Sequence, residues 1–160
     1  MNTNKAYTFA RLTMIAIALF AIANIAWVLV YNNVDFVAAP ALVEILMLVE
    51  LSLYNDAIGS TSTLILFGAV IAALVAIYVL CGLLAKKRAK WFTIGFVVYV
   101  VDYVFRLYLT VVDTYPDTGR GNQPVMIVVR VLVPTILLAI LIIGMVQKKK
   151  VAFPELKKKK

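Results

Sequence analysis

The sequence predicts an all-α integral membrane protein with four transmembrane helices and an extra outer-surface helix between spans 1 and 2. Three observations predict it. First, 64% of the 160 residues are hydrophobic, only 15% are charged, and the mean hydropathy is +0.97. A soluble domain carries about 45–50% apolar and about 25% charged residues. Second, four stretches reach the roughly 20 mostly apolar residues that a spanning helix needs. Third, the basic residues gather on one side of those stretches.

The first span covers about 9–31. Its apolar stretch, 12–30, exceeds the ~7–15 residues of a secretory h-region, so a retained helix is expected rather than a cleaved signal. Thr13, Asn24 and Tyr31 share one stripe of it. A lone Asn is ordinarily an interhelical hydrogen-bonding residue, and can also contact a ligand.

The outer segment, 34–61, follows. Its core is apolar apart from Glu44, Glu50 and Ser52, and Pro40 stands where a first helical turn tolerates proline. Two glutamates at depth would be costly, and a fifth span would put Lys5 and Arg11 on the wrong side. A short helix lying on the outer surface or packed over the bundle is expected. It acts either as a simple cover or as a gate or docking element.

The second span, about 62–84, has no charged group. It has two interleaved ladders of small residues, Gly68, Ala72 and Ala76, and Ala69 and Ala73. Small residues four apart let helices approach closely, so this span is expected to pack within the bundle or between protomers.

The third span, about 91–112, divides into two faces at 100° per residue. Gly95, Tyr99, Asp102, Tyr103, Arg106, Thr110 and Asp113 share one arc, and the opposite surface is valine-rich. Asp102 lies near the middle, with Arg106 about 6 Å further out at 1.5 Å per residue. An ionisable residue at that depth is a functional hypothesis by default. The plainer reading is a self-neutralised pair: aspartate four residues before arginine is the favourable order, and Tyr99 and Tyr103 would satisfy spare lone pairs.

The fourth span, about 125–146, brings Arg130 to a depth similar to Arg106. Pro134, one turn later, is expected to kink the helix or leave the Arg130 carbonyl unpaired. The link 113–124 contains Pro116-Asp117-Thr118-Gly119, the chemistry of a tight turn. The six residues Asn24, Tyr99, Asp102, Tyr103, Arg106 and Arg130 form the predicted polar cluster within the membrane.

Orientation follows from the basic residues. All of them except Arg106, Arg120 and Arg130 fall on one side of a four-span chain. Both termini are therefore expected in the cytoplasm. Residues 1–147 form the transmembrane domain and 148–160 a polybasic tail. Lysines at that surface favour anionic lipid headgroups. Small size, charge asymmetry and the lack of an Asn-x-Ser/Thr site point to a bacterial inner membrane. Lys157 to Lys160 also have the form of a dilysine retrieval signal.

The counts exclude several chemistries. The chain has no histidine, hence no imidazole general base or metal ligand, and the single Cys81 forms no Cys-x-x-Cys site. No serine lies in the middle of a long apolar run for an intramembrane nucleophile. No enzyme activity, cofactor, metal or nucleic-acid partner is expected. The expected function is that of a conduit or transporter-like module with a polar site for a small anionic or zwitterionic solute, since arginines favour carboxylates and phosphates. The alternative is a non-catalytic accessory or scaffold subunit of a larger membrane complex. Either way a homo-oligomer or complex subunit is expected.

Overall fold

A computed structural model describes residues 3–31, 40–43, 46, 61–112 and 124–150, with side chains for 5–26, 40–43, 46, 65–66, 68–108 and 131–150. The rest of the outer segment, the turn within 113–123, the tail beyond 150 and the Arg130 side chain lie outside the described residues. Four long helices follow in order: α1 (Thr3–Tyr31), α2 (Thr61–Leu84), α3 (Ala89–Val112) and α4 (Pro124–Gln147). A 3-10 turn, Lys148–Lys150, ends them. No strand occurs among the described residues. Three stretches are long and apolar enough to cross a membrane: Lys5–Ala26, Ala89–Tyr108 and Val131–Lys150. Gly68–Leu84, within α2, is a shorter apolar stretch.

Helices dominate because hydrocarbon offers no partner to backbone N–H and C=O groups, and only helices satisfy them within one segment. Their outward faces match that environment. Leu19, Leu66, Val104 and Ile143 are at least half exposed, a surface that water would penalise. On α3 the valine-rich face points outward, with Val97, Val101 and Val104 exposed, while Tyr99, Asp102 and Arg106 are buried. Up to Tyr108 burial follows the division expected from the helical period, and the side chains of Thr110 and Asp113 lie outside the described residues.

α2 and α3 are joined by the short turn 85–88. It is closed by Lys86 N–H donating to Leu83 O and by Lys87 and Arg88 N–H donating to Leu84 O. Such a link makes the two helices antiparallel neighbours. At this end Tyr7 Oη donates to the Ala85 carbonyl at 3.0 Å, and its ring lies 5.1 Å from that of Phe92.

Most of the core sits towards the same end: Tyr7, Ala10, Met14, Ile17, Tyr78, Cys81, Phe92, Tyr99 and Leu141 pack together. Without water to drive association, helices in lipid are held by close fit. Glycine supplies it here. A Cβ on Gly95 would stand 2.8 Å from Cys81 Cβ and Met14 Sδ, and one on Gly144 would meet Ala10 and Phe92. Gly95 therefore belongs to the α1–α2–α3 crossing rather than to a polar surface.

A second, smaller cluster joins Ala21, Val43 and Ile71, with Leu46 packed against it. Val43 belongs to the segment expected on the outer surface. Residues 41–43 are helical, and Ala41 and Val43 are fully buried. Their neighbours, Ile71 and Asp102, lie near the middles of α2 and α3. This part of the outer segment lies at mid-height inside the bundle, because its apolar side chains find partners there on α1 and α2.

Candidate polar site within the bundle

Asp102 is 3% exposed, and both carboxylate oxygens are engaged. Ala41 N–H donates to Oδ2 and Leu42 N–H to Oδ1, each at 2.9 Å. The reason is local. Pro40, also buried, has no N–H, so the first donors of the helical turn belong to the two residues after it. N–H groups at a helix start lack intrahelical acceptors. Away from water they need another, and a carboxylate suits the positive end of the turn.

This differs from the expected arrangement, in which Tyr99 and Tyr103 would complete the Asp102 carboxylate. Both hydroxyls turn to α4 instead. Tyr99 Oη donates to the Pro134 carbonyl at 2.9 Å. Tyr103 Oη shares a 2.8 Å bond with Thr135 Oγ1, and Thr135 Oγ1 donates to Val131 O at 2.6 Å. The helix α4 continues through Pro134, and α3 is bonded to it there.

Arg106, 2% exposed, is among the largest fully enclosed side chains, and it lies within electrostatic range of Asp102 and Tyr99. Asn24 on α1 is 0% exposed, and neither its amide oxygen nor its amide nitrogen has a hydrogen-bond partner. Its height follows from the contact between Met14 and Gly95. Asn24 is ten residues beyond Met14 and Arg106 eleven beyond Gly95, about 15 and 16 Å along their axes. The two are therefore close to level. Asn24 lies one turn beyond Ala21, which packs on Val43, so α1 and α3 flank the turn 41–43 with Asn24 and Asp102.

Sequence reasoning missed four participants, Tyr78, Ala41, Leu42 and Thr135. Tyr78 of α2 is 1% exposed with an unpartnered hydroxyl, edge-on to Tyr99 at 6.5 Å and within electrostatic range of Asp102. The Ala41 and Leu42 N–H groups were signalled only by Pro40. Thr135 was hidden by its apolar neighbours. Arg130 lies on α4 by its backbone, and its side chain is outside the described residues.

The small-residue ladders point away from this site. Ala69, Ala72, Ala73 and Ala76 are exposed, and nothing lies within 4 Å of a Cβ placed on Gly68. Ala72 and Ala76 line an apolar groove of about 490 Å³ with Ile22, Ile25, Val75, Val79 and Leu80. Among the described residues no cluster of His, Cys, Asp or Glu has the makings of a metal site.

Among the described residues this is an all-helical bundle with an apolar exterior and charged groups enclosed at mid-height, and three of its helices are long and apolar enough to cross a membrane, as in a helical membrane protein. No family model, curated protein or solved structure matches the chain.

Proposed function

We propose that the protein is a conduit or transporter-like module that carries a small anionic or zwitterionic solute past Arg106 and Asn24. One observation carries this reading. A chain segment starts a helical turn at mid-height, bonded to Asp102, and an enclosed arginine on α3 and an amide without partners on α1 lie close to level with each other. Irregular backbone at membrane depth is tolerated where it is buried in protein or lines a polar cavity, and such breaks accompany solute sites in transporters. Asp102 serves the segment, while Asn24 has donor and acceptor capacity to offer. An arginine at nearly the same height suits a carboxylate or phosphate.

The same reading makes α2 a fourth span, its 24 residues reaching about 36 Å at 1.5 Å per residue. The segment containing residues 41–43 then re-enters the bundle from the outside. Both termini lie in the cytoplasm, the membrane is a bacterial inner membrane, and the exposed α2 groove joins protomers. No catalytic role is assigned.

A second reading, a non-catalytic subunit of a larger complex, is favoured by the Asp102 bonds alone, which fix a fold without leaving that carboxylate to a solute. Uptake into proteoliposomes separates the two. A panel of small carboxylates, phosphates and amino acids is tested with the wild type and with Arg106→Gln. Uptake lost in the variant supports the conduit. No uptake, together with a stoichiometric foreign subunit on purification, supports the scaffold.

A further inference from the structure

Two basic runs that lie far apart in the sequence meet at one end of the bundle. Lys148 Nζ donates to Thr93 Oγ1 at 2.6 Å, and Thr93 Oγ1 donates to Ala89 O at 3.4 Å. This clasp holds the turn Lys148–Lys150 against the first turns of α3, directly after the link 85–88. Lys86, Lys87 and Lys90 are exposed at this end, and so are Lys149 and Lys150. Lys90 Nζ stands 6.0 Å from the Trp91 ring. Arg11 donates to the Gly82 carbonyl, which brings a further cation from α1 to the same end. Among the described residues the only acid is Asp102, at least twelve positions along the chain from these cations, and Glu155, five positions after Lys150, lies outside them.

Like charges gathered this way repel one another and call for an anion. The surroundings say which. Lysine beside tryptophan at the end of a spanning helix is headgroup-level chemistry, and basic pockets between helices at that level hold lipid headgroups. Below the cations, Ile94 and Val97 on α3 and Ile142, Ile143 and Val146 on α4 are exposed apolar surface, suited to acyl chains.

We propose that this end is a seat for one anionic phospholipid, its phosphate held among Lys86, Lys87, Lys90, Lys149 and Lys150 in a spacing set by the Lys148–Thr93 clasp. A topology signal needs only the number of charges. A seat needs their arrangement, and Thr93→Val tests it by removing the clasp while keeping every charge.

The experiment uses the full chain in nanodiscs of phosphatidylcholine with and without phosphatidylglycerol, read by lipid retention in native mass spectrometry and by melting temperature. Inorganic phosphate is the free-anion arm. Phosphatidylglycerol should be retained preferentially and raise the melting temperature, and inorganic phosphate should not. Lys149→Gln with Lys150→Gln, and separately Lys86→Gln with Lys87→Gln, should each weaken retention by roughly fivefold per lysine. The quadruple variant should lose little more than either pair. Thr93→Val should lose the preference, and Thr93→Ser should keep it, with melting in pure phosphatidylcholine unchanged in both.

The seat is overturned if Thr93→Val retains lipid like the wild type and the two pairs add in proportion to charge. It is also overturned if inorganic phosphate stabilises as well as the lipid, or if the two bilayers give equal retention. None of these readouts depends on solute uptake, so this proposal and the conduit stand or fall separately.

Discussion

Asp102 on α3 receives the backbone N–H of Ala41, a residue 61 positions earlier in the chain, at 2.9 Å. With the matching bond from Leu42, this makes a charged side chain in one membrane helix the cap of a helical turn in another segment. Removing the side chain strands one buried and one part-buried donor, and a buried group of this kind costs about 1–3 kcal/mol. Asp102→Ala should therefore destabilise the protein by at least about 1–3 kcal/mol. Asp102→Asn retains one acceptor and should cost less. Thermal melting in detergent checks the order. Equal stability of Ala and Asn variants with the wild type would show that the segment is held by Val43 and Leu46 alone.

Asn24 offers the opposite case. Its amide is enclosed and without a hydrogen-bond partner, so folding gains nothing from its polarity. Asn24→Leu, apolar and with the same branching at Cγ, should leave stability unchanged or raise it by about 1 kcal/mol, by relief of an unpaired polar group. If a solute uses the amide, the same variant should lose uptake. A variant that melts lower than the wild type would mean that the amide does hold the bundle together.

Glycines should divide by what faces them. A methyl group on Gly144 meets Ala10 and Phe92, and overpacking of this kind costs about 1–3 kcal/mol. Gly68 has open space around it, so Gly68→Ala should be neutral or stabilising by about 0.5–1 kcal/mol through helix entropy. Melting temperatures that fall equally for both would contradict the packing.

Ala72 is exposed within the α2 groove, so Ala72→Leu should fill the groove without disturbing the protomer. If the groove joins protomers as proposed, the variant should run at the protomer mass in detergent where the wild type runs larger, with melting of the protomer preserved. Unchanged mass would leave the groove to lipid.

Topology is open to cysteine labelling in intact cells. Cys81 is 2% exposed, so background from the native thiol should be low. A cysteine at Lys90 should resist an external reagent and one at Thr118 should react. Labelling at Lys90 from outside would reverse the proposed orientation.

The sequence by itself determined the helical membrane class, because length and composition of an apolar run respond to the bilayer and not to neighbours. It also determined which face of α3 turns inward. The 100° period separates Asp102 and Arg106 from Val97, Val101 and Val104, and burial follows that division. What Asp102 bonds to was decided only by tertiary structure. A carboxylate in hydrocarbon will take whichever donors reach it, and the pattern of α3 alone pointed to its own Arg106, with Tyr99 and Tyr103 for the spare lone pairs. The donors come instead from a proline-started turn 61 residues away, brought to mid-height by the packing of Val43 on Ala21 and Ile71. The clasp between Lys148 and Thr93 is of the same kind. Periodicity orders residues within a helix, but which residues of two helices meet is set by close packing at Gly95 and Gly144, and that contact is long-range in the chain.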